Sequence, residues 1–140
     1  MRFHKQKQGQ ENKADYVSLN ENANPTVIRQ LSIRFTDRRG NDAWSYIRRN
    51  GLALSELMDG SVGFGLANPY DCRRVAVALG TRFIDEDGTS ALEYLKNHRG
   101  MAQELFVHTA AYTDAVVQKY SAITSALKEE LRRNQTPADA

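Results

Sequence analysis

The sequence has a single cysteine, Cys72. No disulfide can form within the chain and no multi-cysteine zinc site can be built, which fits a reducing cytoplasm. Long apolar runs are also missing. Nothing approaches the roughly 18 consecutive apolar residues of a membrane span. The opening stretch Met1-Arg2-Phe3-His4-Lys5-Gln6-Lys7 runs on into polar sequence with no apolar leader core, so a soluble, cytoplasmic protein without a membrane partner is expected. Histidines are few, and His98 and His108 stand ten apart with His4 far away, so none forms the i, i+4 pair of a helical zinc site. Net charge is only +2, which leaves no argument from overall basicity. At 140 residues the chain holds one ordinary domain or two very small ones, not a large multidomain enzyme.

What is present divides into four parts. Residues 1–24 are rich in Gln, Lys, Asn and Glu around one small apolar cluster, Tyr16 to Leu19, too little to offset the entropy of ordering, and read as a disordered polar arm. Within 25–60, Leu31, Ile33 and Phe35 alternate with Gln30, Ser32 and Arg34, the period of a strand with one apolar face. Ala43, Trp44, Tyr46 and Ile47 then predict a helix stopped at Asn50-Gly51, and Ser55-Glu56-Leu57-Met58 a short second one cut off by Gly60, Gly63 and Gly65. Residues 61–134 read as a helical assembly region. Asn68-Pro69-Tyr70-Asp71 starts one helix, Ser90-Ala91-Leu92-Glu93 is a capping box for another, and 101–133, free of Pro and Gly, predict a long amphipathic helix. The last residues, 135–140, should fray. The fold class expected is therefore mostly α, with a small β contribution (α+β).

A faint repeat runs through the chain. Arg34-Phe35, Asp37, Gly40, Ala43 and Tyr46 recur 48 residues later as Arg82-Phe83, Asp85, Gly88, Ala91 and Tyr94, which suggests a degenerate second copy at 77–105. Asp-x-x-Gly before a helix is also common turn chemistry, so the pattern alone does not decide for duplication.

The stretch 29–57 resembles a ribbon-helix-helix DNA-binding unit. Its carriers are the alternating segment Arg29 to Phe35, the sixteen residues Thr36 to Gly51 covering the first helix and its stop, and Leu54-Ser55-Glu56-Leu57 where the second helix would begin. The resemblance implies two chains pairing their strands through Leu31, Ile33 and Phe35, with Gln30, Ser32 and Arg34 reading base edges in the major groove. It also implies phosphate contacts at the second helix start, at Leu54, Ser55 and Glu56. The resemblance spans a fifth of the chain, and Arg39, Gly40 and Asp42 depart from it where the family usually has apolar residues.

Charge adds to that reading. Between 29 and 50 six arginines stand against Asp37 and Asp42, so Arg29, Arg38 and Arg39 are candidate contacts to the DNA backbone. No catalytic set nominates itself. Cys72 beside Arg73 and Arg74 reads as a packing residue, Asp85 to Gly88 lacks the ligands of a calcium loop, and Gly60 to Gly65 lacks the lysine of a phosphate loop. The expectation is a non-enzymatic, sequence-specific protein binding double-stranded DNA, a transcriptional regulator or an accessory factor in DNA processing or plasmid transfer. It would need no cofactor or metal, and it would be a dimer or higher oligomer through 29–35 and the 101–133 helix. The alternative is a protein-interaction adaptor, for example phage-encoded or secretion-associated.

Overall fold

The computed structural model describes residues 16–139, with side chains to 135, and over that range the chain is mostly helical with one small sheet. Strands β1 (Val17–Leu19) and β2 (Phe106–His108) pair antiparallel, Ser18 opposite Val107. Between them run α1 (Pro25–Ile33), α2 (Ala43–Arg49), α3 (Gly51–Asp59), α4 (Pro69–Thr81), α5 (Ala91–Asn97) and α6 (Arg99–Gln103), and α7 (Ala110–Asp139) follows β2.

Residues 29–33 are helical and Arg34 caps them, so the segment is not the strand its alternation predicts. Asn24 caps α1 by accepting from the amides of Thr26 and Val27, and Pro25 takes the first position, where its missing N–H costs nothing. Val27, Leu31 and Phe35 are buried in steps of four, whereas Ile33 is 65% exposed. The true period is helical, and Ile33 alone made it look like two. The same chemistry starts α4, where Asn68 accepts from Tyr70 and Pro69 is first.

Two segments 48 residues apart take the same conformation. Asp37 Oδ1 accepts from the amides of Arg39 and Asn41 at 2.9 and 2.8 Å, and Asp85 Oδ1 from those of Asp87 and Thr89 at 2.9 and 2.8 Å. Gly40 and Gly88 close the two turns at φ of 85° and 86°, which glycine alone adopts freely. Asp42 and Ser90 then cap α2 and α5. After each of these helices the side chain of the linking residue, Asn50 or His98, donates back to the carbonyl of Tyr46 or Tyr94 at 2.9 and 2.8 Å, and the next helix sets off at an angle. For His98 this places the proton on Nδ1.

The segments meet through contacts that occur twice with partners exchanged, the relation of a two-fold axis. Thr36 bridges Ile84 antiparallel. Arg34 Nε donates to Asp85 at 2.7 Å while Arg82 donates to Asp37 at 3.3 Å. Phe35 packs on Tyr94 with centroids 5.2 Å apart, and Phe83 on Tyr46 at 5.3 Å. Each arginine also lies over the phenylalanine that follows it, at 4.8 and 5.1 Å. Beneath lies one core, in which Phe35, Phe83, Leu31, Leu79, Ile47, Leu95, Leu54 and Leu105 are fully buried. Truncating either phenylalanine to alanine should cost about 3–5 kcal/mol.

The unbroken helix predicted over 101–133 is interrupted. Chain 104–109 leaves α6 and forms β2, because Phe106 and Val107 find a strand partner in Val17 to Leu19 and Phe106 stacks on Trp44 with centroids 6.1 Å apart. That pairing also orders 16–19, the end of the segment read as a polar arm; Arg2, Lys5, Lys7 and Lys13 lie outside the described residues. At the other end α7 stays helical to Asp139, past the point where fraying is predicted. Among the described residues no helix is long and apolar enough to cross a membrane.

Candidate functional site

The residues expected to read bases do not share a face. On a helix, positions 30 and 34 are four apart and fall on one side, while 32 falls on the other. Ser32 donates to the carbonyl of Ile28 at 2.8 Å, and Arg34 is held by Asp85. The antiparallel ribbon between two chains is thereby corrected, since 29–33 lie within α1 and have no free strand edge. The phosphate contacts expected at Leu54, Ser55 and Glu56 are displaced as well. α3 begins at Gly51, so these residues lie inside the helix, with Leu54 and Glu56 fully buried. Arg29, Arg38 and Arg39 are exposed and make no ion pair among the described residues.

Glu56 holds a position no sequence pattern announced. It is the one fully buried charged side chain among the described residues. Its carboxylate accepts from the amide of Leu66 at 2.7 Å, from that of Ala67 at 3.2 Å, and from the Tyr112 hydroxyl at 3.1 Å. It therefore ties α3 to the 60–68 loop and to the first turn of α7. A Cβ at Gly65 would stand 2.2 Å from its Oε2, so a side chain there would have to push the carboxylate off its partners. Burial and the Glu56 charge both push the Tyr112 hydroxyl up from its ordinary pKa, keeping it a donor. Cys72 nearby is buried and, with burial the larger cause and Glu56 the next, its thiol is pushed up too. This opposes the activation its neighbouring arginines suggest.

A second feature is a cavity of about 610 Å³ between β1, the junction of α2 and α3, and the start of α4. Arg48, Arg49 and Arg74 line it against a single carboxylate, Asp71, with Leu19 and Phe106 supplying apolar wall. Arg74 pairs with Asp71 at 3.1 Å, while Arg48 and Arg49 have no ion-pair partner among the described residues. The wall also contains Gly51, Leu52 and Ala53, whose first-turn amides receive no side-chain cap because Asn50 is turned back to Tyr46. Gly51 packs close against the sheet, where a Cβ would meet the Phe106 ring at 3.0 Å and a Val17 methyl at 3.2 Å.

Val17, Ser18 and Leu19 of β1 line this cavity. The amide of Thr109 donates to the carbonyl of Tyr16 and that of Asn20 to Leu105, both at 3.0 Å. Antiparallel ladders alternate, so the N–H and C=O of Val17 and Leu19 point to the opposite edge. They have no backbone partner among the described residues.

The third feature is α7. Its first turns are anchored by Tyr112 on Glu56 and His108, by Lys119 on the Gly65 carbonyl and by Tyr120 on that of Phe64. Beyond Tyr120 no described residue buries it, and residues 121–135 are all exposed. They nevertheless carry Ile123, Leu127 and Leu131, which continue the stripe of Val116 and Tyr120 and remain 44%, 59% and 60% exposed. Compared with protein-family models, curated proteins and solved structures, the chain matches none of them.

Proposed function

We propose that this protein is a non-enzymatic interaction module that assembles by pairing α7 with the α7 of a second copy. The observation that carries the reading is the bare apolar stripe at 123, 127 and 131 on a helix that has left the body of the protein. An isolated helix of that length is marginal in water, and its stability in proteins comes from burying an apolar face. A second copy supplies the same stripe, and two-fold pairing closes without leaving a free end to polymerise. Steps of four, three, four and four from Val116 to Leu131 suit a short bundle better than a long coiled coil.

Sedimentation tests it directly. The full chain should be a dimer at tens of micromolar, and Ile123→Glu with Leu127→Glu should make it a monomer whose helical signal falls. A wild-type monomer that keeps 121–135 helical would overturn the pairing.

A second reading, binding to double-stranded DNA, is favoured by Arg29, Arg38 and Arg39, which are exposed and make no ion pair among the described residues. It now rests on phosphate contacts, not base reading. Each arginine replaced by alanine should then reduce the salt slope of duplex binding by about one.

A further inference from the structure

We infer that the cavity beside β1 is a docking site for an extended, acidic peptide segment of a partner protein, which adds as a third strand along the outer edge of β1. Two independent features of one cavity carry this. The first is the outer edge of β1, which has no backbone partner among the described residues. Val17 and Leu19 each present one outward N–H and one outward C=O, and only another backbone in extended conformation satisfies donors and acceptors together. A phosphate or a nucleic-acid backbone offers acceptors alone and leaves both carbonyls unmet. The second is charge. Arg48, Arg49 and Arg74 line the cavity with the single carboxylate of Asp71; Arg48 and Arg49 make no ion pair among the described residues, and the Arg49 charge also acts on Asp42. Arginine forks match carboxylates in a bidentate manner, so Glu or Asp at alternate positions of an added strand meets them from one face. Leu19 and Phe106 give the intervening apolar side chains a surface. The volume, about 610 Å³, falls within the usual range of ligand sites.

The site is separate from the α7 stripe, and its test reads separately. The isotope-labelled full chain is titrated with a short acetylated peptide alternating Glu and Val, and amide shifts are followed by NMR. The amides of Val17 and Leu19 should move, with those of Gly51 to Ala53. Reversing charge with Arg48→Glu and Arg49→Glu should weaken binding at least about tenfold, and the same peptide with Lys for Glu should bind as weakly. Val17→Pro removes one outward donor without touching the ladder, so it should weaken binding while leaving the Ser18 and Val107 signals in place. The monomeric Ile123→Glu, Leu127→Glu chain should bind the peptide as wild type does, which keeps this result independent of the pairing of α7. The inference is overturned if an N-methylated form of the peptide binds equally well. It is also overturned if a DNA duplex shifts the same amides at lower concentration than the peptide, if inorganic phosphate alone reproduces the shifts, or if millimolar peptide moves nothing near β1.

Discussion

Glu56 is surrounded so closely that its neighbours' identities follow from it. Replacing it with alanine strands the amides of Leu66 and Ala67 and the Tyr112 hydroxyl, and should cost about 3 kcal/mol in chemical denaturation. Gly65→Ala should be destabilising for a different reason, the clash of its Cβ with the same carboxylate. Combined, the two substitutions should cost clearly less than their sum, because the first removes what the second strikes. Equal additivity would show that Gly65 is required by something other than Glu56. Cys72 gives a second residue-scale test. With its thiol pushed up by burial and by Glu56, a disulfide reagent should leave it unmodified at neutral pH until denaturant opens the core.

At the scale of elements, the paired turns carry the protein's acid sensitivity. Burial pushes Asp37 up, but donors from Asn41, Arg82 and the Arg39 amide outweigh it and hold the carboxyl at about 2, from an ordinary 3.8. Asp85 is lowered in the same way, chiefly by Arg34 against the effect of burial. A depressed carboxyl contributes stability that is full above its unfolded pKa and is lost as pH falls through the folded one. For Asp37 that window runs from near 3.8 down to about 2. Asp37→Asn and Asp85→Asn should each flatten the acid limb of a stability profile, Asp37→Asn the more, since its carboxyl is held further down. An acid limb left unchanged by both substitutions would show that the turns do not set it.

Much of this element order is legible in residues, and the failures have physical causes. Asn68-Pro69 and the Ser90 capping box predict α4 and α5 correctly, because caps act locally. Asn24-Pro25 is the same signal, but the alternation of Leu31, Ile33 and Phe35 predicts a strand over 29–35, and the helix that Asn24 caps runs through 29–33. β1 and β2 were beyond reach, since each is three residues long and is stable only through a partner nearly ninety positions away. Glu56 was hidden for a related reason. A glutamate in a helix reads as solvent-facing, and the loop amides that bury it are ten residues further along. The cavity's arginines were visible as a charge excess, but their convergence with the edge of β1 is a property of the fold alone.

For the whole molecule, the body and the projecting part of α7 should respond separately. Among the described side chains, those beyond residue 121 are all exposed, so deleting the chain from there should barely move the melting temperature while self-association is lost. A large drop in melting temperature would show that the projecting turns support the body after all. The reciprocal contacts between Arg34 and Asp85 and between Arg82 and Asp37 bear on a different property, the divisibility of the chain. Each half offers the other one cation, one anion and one phenylalanine face, and the covalent connection between them runs through exposed Gly63, so recognition does not depend on the link being intact. Two polypeptides cut between Val62 and Gly63 should therefore find one another in solution and recover the native circular dichroism when mixed, which makes this fold a candidate for splitting into a complementing pair.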